Sequence, residues 1–116
     1  MFVTLTPNPA LDRVLSLRQP LEPRALHRVA DVREQAGGKG VNVSRVLRAL
    51  GAEVTNAAVV GGFNGQKFAH LLEAEGLPGL LEFAAGGETR ECQIITAPGA
   101  TPPRSTSRAC PTTRRG

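Results

Sequence analysis

The sequence predicts an α/β fold in which two helices flank a partial parallel sheet. Two apolar, β-branched segments, residues 1–6 and 53–62, are typical of buried strands. A segment with the apolar spacing of a helix follows each of them, at residues 41–50 and 64–76, and glycines stand at the junctions. The order strand–helix–strand–helix with short glycine links is typical of βαβ units.

Both helices have recognisable ends. Gly51 is a stop signal for the first helix, and Gly76 is one for the second, where Asn64 is the expected N-terminal cap. The apolar positions expected to face a core are Val41, Val43, Val46, Leu47 and Leu50 in the first helix, and Phe68, Leu71 and Leu72 in the second.

Shorter segments predict further strands. Residues 13–17 and 27–35 alternate apolar and polar side chains, as half-exposed strands do, and a proline-rich loop joins them. Residues 80–84 and 89–97 are also strand-like. We expect one folded unit over residues 1–99.

Residues 100–116 differ in character. They contain no Val, Leu, Ile or Phe, so they cannot bury enough apolar area to offset the entropy of ordering them, and we expect a disordered basic tail. Their four arginines account for the formal net charge of +4. Without aromatic residues for base stacking, this tail argues against a nucleic-acid partner.

Other function classes find little support in the sequence. Nothing approaches a transmembrane run or a signal peptide, so no membrane partner is expected. Cys92 and Cys110 belong to no CxxC pair or His-rich cluster, so no metal site is predicted, and a cytoplasmic location fits best.

The stretch "GGKGVN", residues 37–42, is the strongest candidate for a binding site. Glycines before a helix let the backbone approach a ligand, while first-turn amides and Lys39 favour an anion. The amide of Asn42 can donate and accept hydrogen bonds. The spacing fits neither GxxxxGK[ST] nor GxGxxG, and a tight turn without any ligand explains the glycines equally well.

Two other residues carry similar alternatives. Asp12 could accept hydrogen bonds from sugar hydroxyls, or it could simply form a turn. Arg90 could hold a phosphate through its guanidinium, or it could be a solvated arginine on an exposed strand.

Four segments together, "TLTPNPALDR", "GGKGVNVSRVLRALG", "VVGGFNGQKFAHLLEAEG" and "GETRECQII", resemble the PfkB carbohydrate kinases of the ribokinase superfamily. The resemblance is closest to the branch of 1-phosphofructokinases and tagatose-6-phosphate kinases, and it runs from residue 1 to about residue 99. It implies a ribokinase-like fold with a small β-lid, to which strands near residues 13–18, 28–35 and 88–96 contribute.

The resemblance also implies roles for residues. Asp12 and Asn42 would bind sugar hydroxyls, and Gly37 and Gly38 would let the substrate lie against the backbone. Lys39 and Arg90 would meet the phosphate that the substrate already carries. The implied partner is a small-molecule sugar phosphate, and the intact family can form a homodimer through the β-lid.

The chemistry implied by the family is phosphoryl transfer from ATP with Mg²⁺ to a sugar phosphate, as in the conversion of fructose 1-phosphate to fructose 1,6-bisphosphate. The catalytic Asp of the family lies in a Gly-Ala-Gly-Asp motif, which this sequence lacks, together with the nucleotide-binding segments. We therefore expect no catalytic residue here, poor binding of ATP and Mg²⁺, and negligible activity of this chain alone, because the C-terminal part of the fold is missing. The alternative is a stand-alone sugar-phosphate-binding or regulatory module without catalysis.

A frameshift would explain the tail. Relatives in this branch often continue after the lid strands with an acidic stretch such as Thr-Glu-Ile-Asn-Glu-Pro-Gly. Chosen GC-rich codons for a longer version, Thr-Glu-Ile-Asn-Glu-Pro-Gly-Leu-Pro-Asp-Asp-Glu-Ala, read one base later, translate into residues 103–115. We expect residues 100–116 to be out of frame, so that the positive charge and Cys110 carry no functional meaning.

Overall fold

The computed structural model describes residues 1–77 and 79–99, and it confirms the α/β class. Residues 100–116, with their expected disorder, lie outside this part. No helix within it is long and apolar enough to cross a membrane. The strands are β1 (Phe2–Thr6), β2 (Ala10–Leu17), β3 (Val29–Gly37), β4 (Val54–Val60), β5 (Gly79–Phe83) and β6 (Arg90–Thr96), and the helices are α1 (Lys39–Ala49) and α2 (Gly62–Ala74).

The first sheet, which we call the parallel sheet, has the strand order β1-β4-β5 with all strands parallel. Between β1 and β4 the chain passes through β2, β3 and then helix α1, whereas α2 alone connects β4 to β5. The strands β1, β4 and β5 lie side by side in the order in which they occur along the chain. Right-handed connections therefore place both helices on the same face of the sheet. Alternate residues of β4, from Val54 to Val60, are buried on that face.

The core lies between this face and the two helices. Phe68 is 0% exposed and Leu72 is 2% exposed, while Leu71 is partly buried against them, which confirms the inward face predicted for the second helix. The remaining members of the core cluster are Ala36, Val41, Ala58, Val60 and Leu77.

The second sheet, which we call the lid sheet, has the order β3-β2-β6, antiparallel between β2 and β3 and parallel between β2 and β6. Its three strands correspond to those predicted for the lid, with different bounds. Strand β2 already begins at Ala10 and β3 continues to Gly37, so Asp12 and Gly37 lie in paired strands rather than in turns. Backbone pairing therefore fixes both positions.

The predicted cap of the second helix is wrong. Helix α2 begins at Gly62, two residues before Asn64, and its N-cap is Gly61. The Asn64 side chain instead donates to the carbonyl oxygen of Thr89 at 3.0 Å. Glu88 takes over the capping role, because its Oε1 accepts from the backbone N–H of Asn64 at 2.5 Å.

Two expectations about burial are also wrong. Strand β1 is largely exposed, with Val3 at 59% and Leu5 at 66%, because within the described residues it pairs only with β4. On α1 the apolar residues Val43 and Val46 are 50% and 60% exposed, and Leu50 is 77% exposed. Only part of the predicted apolar face of α1 meets the sheet.

Helix α1 packs on the sheet partly through polar groups. Ser44 is fully buried, and its hydroxyl lies 2.6 Å from the hydroxyl of Thr4 on β1. Thr4 in turn donates to Oδ1 of the buried Asn56 on β4 at 2.7 Å. This chain of hydrogen bonds fixes α1 over the first two parallel strands and thereby positions its N-terminus.

Candidate functional site

Asp12, Gly37 and Arg90 lie on one face of the lid sheet. Ala10 on β2 pairs with Gly37 on β3 and with Arg90 on β6, and Asp12 is two residues along the same strand. Side chains two residues apart share a face of a sheet, and diagonal neighbours can contact one another. The pairing of β2 with both neighbours thus brings together three residues that are widely separated in the sequence.

Gly37 leaves the space that the Asp12 carboxylate occupies. A Cβ atom at position 37 would lie 2.5 Å from Cγ of Asp12, well inside contact distance. Any larger residue would push the carboxylate away from β3. The glycine therefore serves the placement of Asp12, and a ligand that contacts this carboxylate would also approach the β3 backbone.

The electrostatic surroundings of Asp12 are mixed. Partial burial raises the pKa of its carboxyl group, and the guanidinium groups of Arg90 and Arg45 oppose that rise by lowering the same pKa. Among the described residues its carboxylate makes no hydrogen bond or ion pair. Its oxygens are therefore available to accept hydrogen bonds from hydroxyl groups of a ligand.

The turn from β3 into α1 depends on glycine at position 38. The φ angle of Gly38 is 132°, a value that residues with a side chain rarely adopt, and a Cβ there would lie 2.6 Å from Cγ2 of Thr6. Helix α1 starts at the next residue with no side-chain cap and no acidic residue in its first turn. Its first backbone amides thus have no side-chain acceptor, whereas Glu88 supplies one to α2.

Lys39 and Asn42 lie on the first turn of α1, and both are exposed. Lys39 makes no hydrogen bond or ion pair within the described residues, so its ammonium can meet an anion at the helix N-terminus. The Oδ1 atom of Asn42 accepts from Nη1 of Arg45 at 2.9 Å. The amide nitrogen of Asn42 consequently remains as a donor.

A cavity of about 250 Å³ lies at the carboxyl ends of the three parallel strands, where ligands of open α/β sheets usually bind. Of the six predicted site residues, only Arg90 lines it. Its Nη2 donates to the carbonyl oxygen of Asn8 at 3.5 Å, and its buried Nε has no partner among the described residues. The cavity walls are residues 7–9, 59–61 and 87–90, with Ala84.

The other five residues lie beside this cavity rather than in it. Pro9, which lines the cavity, is also next to Gly38, because a Cβ on that glycine would lie 3.6 Å from Cα of Pro9. Pro9 therefore contacts both the glycine turn and the cavity that Arg90 lines.

Two residues near the site are not identified by the sequence patterns. Thr6 is 4% exposed, and its Oγ1 has no partner among the described residues. A Cβ on Gly40 would lie 2.2 Å from this oxygen. Arg45 contacts Asn42 directly, and the i to i+3 spacing of these two residues on a helix is the signal that could have revealed it. Nothing in the sequence singles out the hydroxyl of Thr6.

Comparisons with known proteins agree on one family. The model of the pfkB family of carbohydrate kinases matches residues 6–101. A 1-phosphofructokinase of Haloferax volcanii is 40% identical over 77 residues, which are 66% of this chain and 25% of the relative. A 1-phosphofructokinase of Xanthomonas campestris pv. campestris is 35% identical over 95 residues, which are 82% of this chain and 30% of the relative.

A solved structure has the same fold. The crystal structure of phosphofructokinase-2 from Escherichia coli in complex with fructose-6-phosphate matches with a TM-score of 0.77 and 29% sequence identity. The match covers 84% of this chain and 31% of that protein. The chain thus spans between a quarter and a third of the length of these relatives, and the predicted ribokinase-like fold is confirmed for this part.

Proposed function

The chain belongs to the pfkB family of carbohydrate kinases, and from this premise we propose that it is the sugar-phosphate-binding part of an ATP-dependent kinase of the 1-phosphofructokinase type. The observation that carries the proposal is the half-buried Asp12 carboxylate, which makes no hydrogen bond or ion pair within the described residues, beside an uncapped helix that begins with Lys39. A carboxylate accepts from sugar hydroxyls, and a helix N-terminus with a lysine attracts a phosphate. One ligand carrying both groups is a sugar phosphate.

Each site residue then has a distinct part in binding. Asp12 accepts hydrogen bonds from sugar hydroxyls, and the amide nitrogen of Asn42 donates one. Gly37 and Gly38 allow the sugar to lie against the backbone. Lys39, at the start of α1, and Arg90, in the lining of the cavity, neutralise the phosphate that the substrate already carries. Their combined effect is to hold the sugar in a fixed orientation, which in kinases accounts for much of the rate acceleration.

In the intact family, ATP with Mg²⁺ supplies the phosphoryl group. Among residues 1–77 and 79–99 there is no group of three or more His, Cys, Asp or Glu that could hold a metal ion. The donor set described here therefore does not fit a metal–nucleotide site, and we derive no step through ATP or Mg²⁺. The proposed contribution of this chain is limited to substrate binding and orientation.

Ligand titration tests the proposal. Calorimetry of the 116-residue chain with fructose 1-phosphate, fructose 6-phosphate and fructose should show binding of a phosphorylated sugar at least about tenfold tighter than that of fructose, the gain expected from one charge-assisted contact. Lys39→Met and Arg90→Met should remove this preference, whereas Lys67→Met, which changes a lysine on α2 that is paired with Glu34 on β3, should keep it. Equal affinity for fructose and both phosphates would contradict the proposal.

The alternative, a binding or regulatory module without catalysis, uses the same residues. It requires only the binding groups described above. A coupled assay with ATP distinguishes the alternatives once the rest of a related kinase is supplied as a separate polypeptide. Turnover that appears only in the mixture supports a kinase part, and saturable binding without any turnover supports the module.

A homodimer through the lid sheet is a further proposal. Leu15 on β2 pairs with both Val32 and Ile95, and these two neighbours are 45% and 52% exposed. An apolar row across an exposed sheet suits contact with a second copy. Sedimentation velocity should show a dimer that Val32→Lys dissociates, and a monomer at all concentrations would exclude this contact.

A further inference from the structure

Arg45 is the most highly connected side chain near the proposed site. Its guanidinium forms a two-point ion pair with Glu75, with Nε–Oε2 and Nη2–Oε1 distances of 2.7 Å each. It also donates to Oδ1 of Asn42 at 2.9 Å and to the carbonyl oxygen of Ala36. The Arg45 side chain is only 22% exposed.

These contacts join three elements at one point. Ala36 immediately precedes Gly37 at the end of β3, Asn42 is on the first turn of α1, and Glu75 follows the last residue of α2. A planar guanidinium held by a carboxylate at two points has little freedom, so its remaining donors have fixed directions. Partly exposed ion pairs contribute little to stability in general, which leaves placement as the main effect of this one.

We propose that Arg45, held in place by Glu75, is a positioning residue of the sugar-phosphate site. It turns the amide of Asn42 so that the nitrogen faces the ligand, and it holds the end of β3 where Gly37 meets Asp12. The part of this inference that concerns substrate rests on the proposed function, while the placement of Asn42 and β3 rests on the contacts alone.

Two consequences follow for neighbouring groups. With Oδ1 held by Arg45, the amide nitrogen of Asn42 is turned to the ligand, where it donates to an acceptor oxygen. Burial raises the pKa of Asp12, and the charges of Arg90 and Arg45 lower it, so Arg45 favours the ionised carboxylate that accepts from hydroxyls. Both consequences can be measured without a ligand.

The experiment uses nuclear magnetic resonance on the 116-residue chain and the variants Arg45→Met, Arg45→Lys and Glu75→Gln. Arg48→Met is the matched control, since Arg48 is on the same helix but its guanidinium lies beside Gly76. In Arg45→Met the side-chain amide signals of Asn42 should shift, and the Asp12 carboxyl should titrate at higher pH. Arg45→Lys should restore the Asp12 titration but not the Asn42 signals, because a lysine keeps the charge and lacks the planar fork.

Glu75→Gln keeps Arg45 and removes the ion pair, so it should shift the Asn42 signals even if Arg45→Met fails to fold. Affinity for fructose 1-phosphate should fall about tenfold in Arg45→Met and stay unchanged in Arg48→Met. The positioning role is wrong if no folded variant at Arg45 or Glu75 differs from Arg48→Met in the signals of Asn42 and Asp12. If the unmodified chain binds no sugar phosphate, the proposed function fails, and the two ligand-free signals still decide whether Arg45 positions these residues.

Discussion

At the scale of single residues, Gly37 tests how closely the Asp12 carboxylate must approach β3. Gly37→Ala places a methyl group about 2.5 Å from Cγ of Asp12, so we expect a loss of about 1–3 kcal/mol in unfolding free energy, as for other overpacked sites. Sugar-phosphate affinity should fall by more than the stability loss explains, because the carboxylate must move. Calorimetry and urea unfolding measure the two effects.

Gly79→Ala is the matched control for this substitution. Gly79 is also a strand glycine, and a Cβ there would make only ordinary contacts, at 3.5 Å from Cδ1 of Leu72. It should change neither affinity nor stability appreciably. If Gly37→Ala behaves like Gly79→Ala, the carboxylate does not depend on the absence of a side chain at position 37.

Asp12 also predicts a pH dependence of stability. Since burial raises its pKa in the folded chain above the ordinary value of 3.8, the folded state binds the proton more tightly than the unfolded state does. The stabilisation is present below 3.8 and is lost as the pH rises through the raised pKa. Urea unfolding from pH 3 to pH 7 should therefore show Asp12→Asn gaining stability relative to the unmodified chain as the pH rises.

Asp12→Asn should at the same time weaken sugar-phosphate binding, since an amide is a poorer acceptor for hydroxyls than a carboxylate. A constant stability difference between Asp12→Asn and the unmodified chain over this pH range would refute the raised pKa.

At the scale of elements, α2 carries one phenylalanine in the core and one in solvent. Phe68 is 0% exposed and Phe63 is 83% exposed. Phe68→Ala should cost about 3–5 kcal/mol of unfolding free energy, because it leaves a cavity between the helix and the parallel sheet. Phe63→Ala should change it by no more than about 0.5 kcal/mol. Equal losses in thermal or urea unfolding would mean that α2 packs with a different face.

At the scale of the whole molecule, one face of the parallel sheet has no cover within the described residues. Leu5 and Leu80 flank Ala57 in a row across this face, and they are 66% and 67% exposed. Parallel sheets are normally covered on both faces. We therefore expect binding of a hydrophobic dye and self-association, both reduced by the double change Leu5→Lys and Leu80→Lys.

Leu26→Lys is the control for this prediction, because Leu26 is 91% exposed but lies in the loop between β2 and β3. It should leave dye binding and association unchanged. Light scattering at increasing concentration measures association directly. A chain that stays monomeric and binds no dye would show that the open face is not a source of attraction.

The coding DNA tests the origin of residues 100–116. If they are out of frame, the frame displaced by one base should encode an acidic PfkB-like stretch, followed by the Gly-Ala-Gly-Asp motif. Sequencing of the gene and of its transcript shows whether the frameshift is present in the genome or is a sequencing error. A downstream region without any PfkB-like frame would rule out the frameshift.

The sequence by itself determined the order of elements and the family. Apolar periodicity and glycine punctuation depend on neighbours within a few residues, so α2 and its inward-facing Phe68 could be predicted. The motif "GGKGVN" could likewise be recognised as a candidate site. Local patterns failed at Asn64, because the N-cap of α2 is Gly61 and the backbone N–H of Asn64 donates to Glu88, a residue 24 positions away that only folding brings near.

Only the tertiary structure decided how the site residues are placed and what remains exposed. Asp12, Gly37 and Arg90 share a face because β2 pairs with both β3 and β6, and strand pairing over such distances leaves no local signal. The exposure of Val43 and Val46 on α1 could not be predicted either. An apolar pattern shows that a helix face can be buried, but it does not show which element covers that face. The link from Asn42 through Arg45 to Glu75 depends on α1 lying near the residue that follows α2, and that contact exists only in three dimensions.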